Sequence, residues 1–159
     1  MPTVQINGHD LYYEIHGRRQ GDRPGETALC MGGWGTYCHG GERHLARGLT
    51  DRYRVLIIDY RGIGASTDDL SEPPTMLLHA TDVIGLLDHL GWSRVHFVGL
   101  VGMGACIAQE VAIERPDLVA VFGAARGRSV IVGGHVGSDR GQRCERTAGA
   151  RDRALDRKP

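Results

Sequence analysis

Short apolar runs and segments of helical spacing alternate along this chain from residue 27 to residue 123, and no other feature limits its fold as strongly. Four runs are typical of buried strands: 27–31, 53–60, 94–99 and 118–123. Three segments have helical spacing: 42–49, 75–90 and the stretch from the 99–104 turn to Arg115. Strands that alternate with helices build βαβ units. The sequence therefore predicts an α/β fold, a three-layer sandwich with a mainly parallel sheet between helices.

The N-terminal residues predict an antiparallel hairpin that precedes this alternation. The apolar-rich segments Val4–Ile6 and Leu11–Ile15 flank Asn7-Gly8. That dipeptide is favoured in two-residue turns because both of its residues accept a positive φ. The hairpin is expected to add antiparallel strands to the parallel sheet.

The chain changes character at about residue 124. Residues 1–123 hold 10 Arg or Lys and 15 Asp or Glu, a net charge of −5, whereas residues 124–159 hold 9 and 4, a net charge of +5. The second part has one short apolar patch, Val130–Val132, and eight arginines without regular spacing. We therefore predict a domain at 1–123 and an Arg/Gly-rich, poorly ordered tail at 124–159. The 118–123 strand would then lie at a sheet edge, where unpaired backbone groups favour self-association.

Composition and charge exclude several classes of protein. No apolar run approaches the roughly 18 to 20 residues that span a bilayer, which predicts no membrane partner. The chain does not start with a basic segment followed by an apolar one, so we predict a cytoplasmic location. Acidic residues lie among the tail arginines and aromatic residues are absent there, so no nucleic-acid partner is expected.

The cysteines predict no metal centre. There are four: Cys30, Cys38, Cys106 and Cys144. None forms a C-x-x-C pair, and Cys38-His39 with His44 lacks the paired spacing of a zinc site. Free, partly buried thiols are the prediction, with Cys106 in the core because its neighbours are apolar.

A glycine-rich turn, Gly99-Leu100-Val101-Gly102-Met103-Gly104, joins the 94–99 strand to the helix that follows. Chains use a strand, a tight turn and a helix in this order to present a nucleophile or to bind a phosphate. This turn contains no Ser, Cys, Asp, Lys or Thr. It therefore has the pattern of a catalytic turn without a nucleophilic side chain.

Several segments, in the same order, resemble the α/β-hydrolase family over about residues 3–122. They are INGHDLYYEIHG, LCMGGWG, DYRGIGAST, DVIGLLDHLGWSRVHFVG and IAQEVAIERPDLV. The most specific is DYRGIGAST at 59–67, which is similar to the family's D-x-R-G-x-G-x-S turn. The resemblance implies an incomplete α/β-hydrolase fold of the serine-hydrolase type. It also implies a small-molecule acyl substrate, an ester, lactone or amide, and no cofactor.

In the resembled family a G-x-S-x-G elbow lifts the nucleophilic serine above the sheet. Here Val101 and Gly102 stand at the elbow position where serine is expected, and the gap between the flanking glycines is one residue longer. By the same resemblance, the backbone N–H groups of Gly33 and Met103 correspond to the oxyanion donors. Backbone donors need no particular side chain, so both are retained as candidate site residues.

The acid and histidine of the family's triad have no counterpart in a strand-like segment. His135 and Asp139 are four residues apart, and their order, His before Asp, opposes the family's order of Ser, acid, His. Losing a whole triad costs about a million-fold in rate. We therefore predict weak or no hydrolase activity for this chain.

Two other interpretations are kept. The first is a dinucleotide-binding module in which Gly99 and Gly104 fit the first and third glycines of G-x-G-x-x-G, although Val101 occupies the second. The second is a non-catalytic relic: a truncated homologue, a pseudoenzyme used for binding, or a product of a shifted reading frame near residue 124.

The remaining polar residues of the motifs are predicted to be structural. Asp59 and Arg61 are expected to hold their turn through charge-assisted hydrogen bonds, and Ser66 to be a loop hydroxyl. The histidines are predicted at helix surfaces or strand ends: His79, His89 and His96.

Overall fold

The computed structural model describes residues 3–17, 27–33, 35, 48–68, 73–100, 102–126 and 129–134 of the chain. In chain order the elements are β1 (Thr3–Ile6), β2 (His9–His16), β3 (Thr27–Met31), β4 (Arg54–Ile58), α1 (Met76–His89), β5 (Val95–Leu100), α2 (Gly102–Glu114), a short 3₁₀ helix (Pro116–Leu118), β6 (Val119–Arg126) and β7 (Ser129–Gly134).

The seven strands form one mixed sheet in the order β1-β2-β4-β3-β5-β6-β7. The central strands β4, β3, β5 and β6 are parallel, as βαβ connections require. The flanking pairs β1–β2, β2–β4 and β6–β7 are antiparallel. The α/β fold class expected from the sequence is confirmed, with the parallel part at the centre of the sheet.

The strongest sequence patterns give their elements almost residue for residue. The hairpin pairs Ile6 with His9 around Asn7-Gly8, and β3 occupies the predicted 27–31 run. Helix α1 begins after Thr75, whose hydroxyl accepts a hydrogen bond of 3.0 Å from the N–H of Leu78. The helix predicted at 42–49 lies mostly outside the described residues.

The expected sheet edge at 118–123 is wrong. Strand β6 is longer than expected, Val119–Arg126, and it lies between β5 and β7. Strand β7 contains the Val130–Val132 patch, whose β-branched residues favour an extended chain. The patch is apolar in the sequence, but it is short and lies in an arginine-rich segment. The sequence therefore did not predict a strand there. Residues 135–159 of the predicted tail lie outside the described part of the chain.

The core follows the period-two alternation of the strands. Leu29 and Met31 of β3 face helices α1 and α2 in one buried cluster. Ala28 and Cys30 of the same strand belong to a second cluster on the opposite face. Both faces of the central strands are therefore buried, which explains why these strands appear in the sequence as continuous apolar runs.

A buried carboxylate, Asp82 of α1, connects three distant segments. Arg61 donates to both of its oxygens, from Nε at 3.0 Å and from one terminal nitrogen at 2.9 Å. The side-chain amide of Asn7 donates to Oδ1 at 2.9 Å, and His9 Nε2 lies 3.4 Å from Oδ2. A buried charge is tolerated only when it is paired in this way. Asp82 thus ties the N-terminal hairpin and the 59–67 turn to helix α1.

Two kinds of feature are absent from the described residues. No helix there is long and apolar enough to reach across a bilayer. No group of three or more His, Cys, Asp or Glu side chains there is placed to hold a metal ion. Cys38, His39, His44 and Cys144 lie outside these residues. The cytoplasmic location stays a prediction.

We expect Asp82→Asn to lower the free energy of unfolding by about 3 kcal/mol, because the Arg61 guanidinium loses its bidentate carboxylate, and Asp68 is more distant, at 3.7 Å. The matched control on the same helix is Asp88→Asn, since Asp88 is half-exposed and pairs with Arg115 at 3.2 Å on the surface. That variant is expected to cost less than about 1 kcal/mol. Urea unfolding followed by circular dichroism measures both. Equal losses in the two variants would contradict the assignment of Asp82 as a structural centre.

Candidate active site

Strand β5 turns into helix α2 within one or two residues, at the carboxyl end of the parallel strands. Strand β5 ends at Leu100 and α2 begins at Gly102. The residue between them, Val101, lies outside the described residues. The neighbouring strand β3 ends at the same level, because Met31 pairs with Gly99. This edge is where ligands bind in open α/β sheets.

The turn is tight because Gly99 has no side chain. A Cβ at this position would lie 2.7 Å from the Cα of Ala105 and 2.8 Å from its nitrogen. Both are backbone atoms, which cannot move aside cheaply. The glycine therefore lets the first turn of α2 fold back over the end of β5.

Gly104 makes a second close approach, toward strand β3. A Cβ here would lie 2.3 Å from the carbonyl oxygen of Met31 and 2.7 Å from that of Gly32. The first turn of α2 thus rests directly on the backbone that leaves β3. This contact brings the segment containing Gly33 beside the turn containing Met103.

The structure places the candidate site residues as follows. Gly33 is buried immediately after β3, and Met103 is half-buried against the core as the second residue of α2. Gly102 is exposed as the first residue of α2, and a Cβ there would meet no atom within 4 Å. The segments of Gly33 and Met103 are brought together at one edge of the sheet. Their role as oxyanion donors stays a prediction.

The 59–67 turn is a structural element, as its charge pattern suggested. The carboxylate of Asp59 accepts a hydrogen bond of 2.8 Å from the N–H of Ala65. The hydroxyl of Ser66 donates to the carbonyl of Asp59 at 2.7 Å and accepts from the N–H of Tyr12 at 2.9 Å. Gly62 and Gly64 have positive φ angles of 69° and 62°, which side-chain-bearing residues rarely adopt. Ser66 therefore holds the turn against β2.

Tyr60, in the same turn, reaches the end of β3. Its hydroxyl donates to the carbonyl oxygen of Gly32 at 3.0 Å. Burial raises the pKa of Tyr60 far above its usual value, so the hydroxyl keeps its proton. The ring of His79 lies against it, with 5.5 Å between the ring centroids.

Sequence reasoning missed Tyr60 and placed His79 wrongly. His79 is 2% exposed rather than on the helix surface, and burial lowers its pKa. The helical spacing contained the indication: His79, Val83 and Leu86 recur at intervals of four and three, and all are buried. Tyr60 gave no such indication because it stands in a turn.

This geometry matches a known family. The sequence profile of the α/β-hydrolase fold matches residues 29–122, more than half of the chain, and this range includes both the 59–67 turn and the β5–α2 elbow. The chain belongs to the α/β-hydrolase fold family. A relative named "Putative carbamate hydrolase RutD", from Caulobacter sp. (strain K31), is 36% identical over 133 residues, 79% of this chain.

Other relatives agree with this assignment to the fold family. A protein of the same name from Stutzerimonas stutzeri (strain A1501) is 33% identical over 109 residues, 69% of this chain. Among solved structures, the enol-lactonase from Burkholderia xenovorans LB400 is 31% identical, with a TM-score of 0.66 over 76% of this chain and 45% of that one. Est816, an N-acyl homoserine lactone degrading enzyme, is 28% identical, with a TM-score of 0.64 over 75% and 42%. The chain spans less than half the length of the two named relatives, 46% and 40%.

The two glycines that suggested a dinucleotide loop have other roles in this fold. Gly99 is required by the contact with Ala105, and Gly104 by the contact with the carbonyls at the end of β3. Both are explained by packing within the protein. Neither needs the close approach of a pyrophosphate that the dinucleotide interpretation assigned to the turn.

One of the two described thiols differs from the expectation. Cys106 is exposed, so its predicted place in the core is wrong. The buried face of α2 consists of Gly104, Ile107, Ala108 and Val111, and residue 106 lies off this stripe. Cys30 is buried, and burial raises its pKa to about 11. Its thiol therefore stays protonated at neutral pH and is a poor nucleophile.

A surface cavity of about 550 Å³ lies far from the elbow. It is lined by His16, Gly17, Thr50 and Asp51. His16 pairs with Val55 near the start of β4, so this cavity is at the amino ends of the parallel strands. The elbow is at their carboxyl ends, and the cavity therefore belongs to a different surface.

We expect Gly104→Ala to lower the free energy of unfolding by about 1–3 kcal/mol, because the new methyl group overlaps the carbonyl oxygens of Met31 and Gly32. Gly102→Ala, two residues earlier, is the matched control, since its methyl group meets no atom within 4 Å. It is expected to be neutral or slightly stabilising. Thermal unfolding measures both. A Gly104→Ala protein as stable as Gly102→Ala would show that α2 does not rest on the end of β3.

We expect the protein to lose stability as the pH falls below about 6.5, the ordinary pKa of histidine. The folded state lowers the pKa of His79, so in this range the unfolded state binds more protons and is favoured by acid. His79→Phe removes this titration and should flatten the dependence of the unfolding midpoint on pH between 7 and 5. The control His89→Phe makes the same replacement at an exposed position of the same helix, so any effect of replacing a helix histidine by phenylalanine can be subtracted. An unchanged slope in His79→Phe would contradict the assignment.

Proposed function

We propose that this α/β hydrolase stabilises the oxyanion that forms when the carbonyl group of an ester, lactone, amide or carbamate is attacked. The donors are the backbone N–H groups of Gly33 and Met103. The observation that carries this proposal is the close approach of Gly104 to the carbonyls of Met31 and Gly32, which sets the two donor segments side by side.

The elbow favours negative charge for a second reason. Met103 is the second residue of α2, so its N–H has no acceptor within the helix. The aligned peptide dipoles of the helix add a partial positive charge at this end. Donors fixed before the reaction stabilise a developing oxyanion without having to reorganise.

The chemistry named for the relatives is consistent with this proposal. One relative is named "Putative carbamate hydrolase RutD", and two similar structures are those of an enol-lactonase and an N-acyl homoserine lactone degrading enzyme. Carbamates and lactones share a carbonyl carbon that a nucleophile attacks. Hydrolysis of either kind of substrate requires a site that stabilises the resulting oxyanion. We assign that site to the edge formed by β3 and α2.

We further propose that this chain hydrolyses such substrates slowly and without a covalent intermediate. Val101-Gly102 stand between Leu100 and Met103, so the elbow has no hydroxyl group to attack the carbonyl. Water has to supply the nucleophile instead. Enzymes reduced to their oxyanion donors and substrate binding retain about 10³- to 10⁴-fold acceleration over water.

The test uses two substitutions at one position. Met103→Pro removes the N–H donor, and proline is tolerated in the first turn of a helix. Met103→Ala removes the same packing but keeps the donor. With p-nitrophenyl acetate as the substrate, we expect burst-free hydrolysis by the wild type and a loss of about 10²-fold in Met103→Pro. Met103→Ala should stay within a few-fold of the wild type.

Three results would contradict the proposal. If the wild type hydrolysed the substrate no faster than buffer alone, the proposed hydrolase function would be wrong and a binding protein would be favoured. Equal rates in Met103→Pro and Met103→Ala would exclude the Met103 N–H as a donor. A burst of p-nitrophenol with an acetyl group on the protein, detected by mass spectrometry, would show that the chain has a nucleophile.

A further inference from the structure

The hydrogen bond of the Tyr60 hydroxyl is not needed to hold its own turn together. The turn is already held by the hydrogen bonds of Asp59 and Ser66. Tyr60 is 2% exposed, and its hydroxyl leaves the turn to donate to the carbonyl of Gly32, 28 residues away in the chain. A buried hydroxyl needs a partner, but this partner belongs to the proposed oxyanion segment.

The carbonyl of Gly32 and the N–H of Gly33 belong to the same peptide group. This peptide is trans, as are the others in the described part of the chain. In a planar trans peptide the C=O and N–H bonds point in opposite directions. A donor that fixes the carbonyl of Gly32 therefore also fixes the direction of the N–H of Gly33.

The peptide needs such a restraint because glycines flank it on both sides. Glycine has no side chain to limit φ and ψ, so a Gly-Gly peptide rotates more easily than others. The carbonyl oxygen of Gly32 meets two groups: the Tyr60 hydroxyl at 3.0 Å, and the backbone at Gly104, where a Cβ would lie 2.7 Å away. The hydrogen bond from Tyr60 attracts the carbonyl oxygen, and the backbone at Gly104 sterically limits where that oxygen can move. Together they favour one orientation of the peptide.

We propose that Tyr60 is a positioning residue that aims the Gly33 N–H into the oxyanion site by holding the carbonyl of Gly32. This inference rests on the proposed function, because it assigns a cause to the direction of one of the two donors. The raised pKa of Tyr60 supports it, since the hydroxyl remains a donor throughout the pH range in which the protein is studied.

The test follows two backbone amides by nuclear magnetic resonance. Acetate, the carboxylate product of the p-nitrophenyl acetate assay, is titrated into ¹⁵N-labelled protein, and the signals of Gly33 and Met103 are recorded. The variant is Tyr60→Phe. The matched control is Tyr12→Phe, because Tyr12 is also buried, and its hydroxyl donates to Glu14 at 2.9 Å, with its side chain in the cluster of Ala28 and Cys30 on the opposite face of the sheet. Both variants lose a hydroxyl hydrogen bond, so a general effect on stability is common to them.

We expect both amides to shift with acetate in the wild type and in Tyr12→Phe. In Tyr60→Phe the shift of Gly33 should fall several-fold and acetate should bind about fivefold more weakly, as expected for one lost hydrogen bond. Met103 should still respond. A Gly33 response in Tyr60→Phe equal to that of the wild type would overturn the proposal.

Two further outcomes separate the inference from the function on which it rests. If neither amide responds in the wild type, the donor pair is wrong, and the inference fails with it. If both amides respond but Gly33 is indifferent to the Tyr60 hydroxyl, only the inference fails. A measurement on the wild type needs no variant: the Tyr60 hydroxyl proton should exchange slowly with water, and fast exchange would overturn the proposed hydrogen bond.

Discussion

The contact between Gly104 and the carbonyls of Met31 and Gly32 is the constraint on which the arrangement of the site depends. It requires a residue without a Cβ, because backbone atoms occupy the space that a methyl group would need. It fixes the start of α2 on the end of β3 and so determines which backbone groups share one edge of the sheet. Gly99 makes the same demand on the other side of the turn. The relative positions of β5, the turn and α2 therefore depend on two residues that have no side chain, Gly99 and Gly104.

Much of the fold could be predicted because local patterns determine it. The apolar run at 27–31 became β3 with both predicted ends, and Thr75 caps α1. The prediction failed where an element depends on a distant partner. Strand β7 was not recognised because its apolar patch, Val130–Val132, has only three residues, and the strand forms by pairing with β6. In the sequence, Asp82 is an ordinary acidic residue of a helix. Its structural role is seen only from the hydrogen bonds that Arg61 and Asn7 donate to it.

The candidate site divides in the same way. Motif spacing identified the segments of Gly33 and Met103, because glycines and apolar strands mark the edge where they meet. It could not identify Tyr60, whose importance comes from a hydrogen bond across 28 residues. The packing of the elbow is retained although its sequence differs from the family's pattern. The glycine contacts are present, whereas the position expected for serine is occupied by Val101-Gly102. The chain spans less than half of the named relatives, so their activities enter only as support for a proposal.

The position of Asp82 has a consequence for the order of folding. Asn7 and Asp82 are 75 residues apart, and strand β2 pairs with β4 rather than with its neighbour in the chain, β3. The N-terminal hairpin can form early from local contacts and can pair with β4, but its hydrogen bond to Asp82 cannot form until α1 has been synthesised. Contacts that close such long loops form late, because the chain loses conformational entropy on closing the loop before the contacts can stabilise it. On the ribosome, the apolar face of the hairpin that packs against α1 therefore stays uncovered until more than half of these 159 residues have been synthesised.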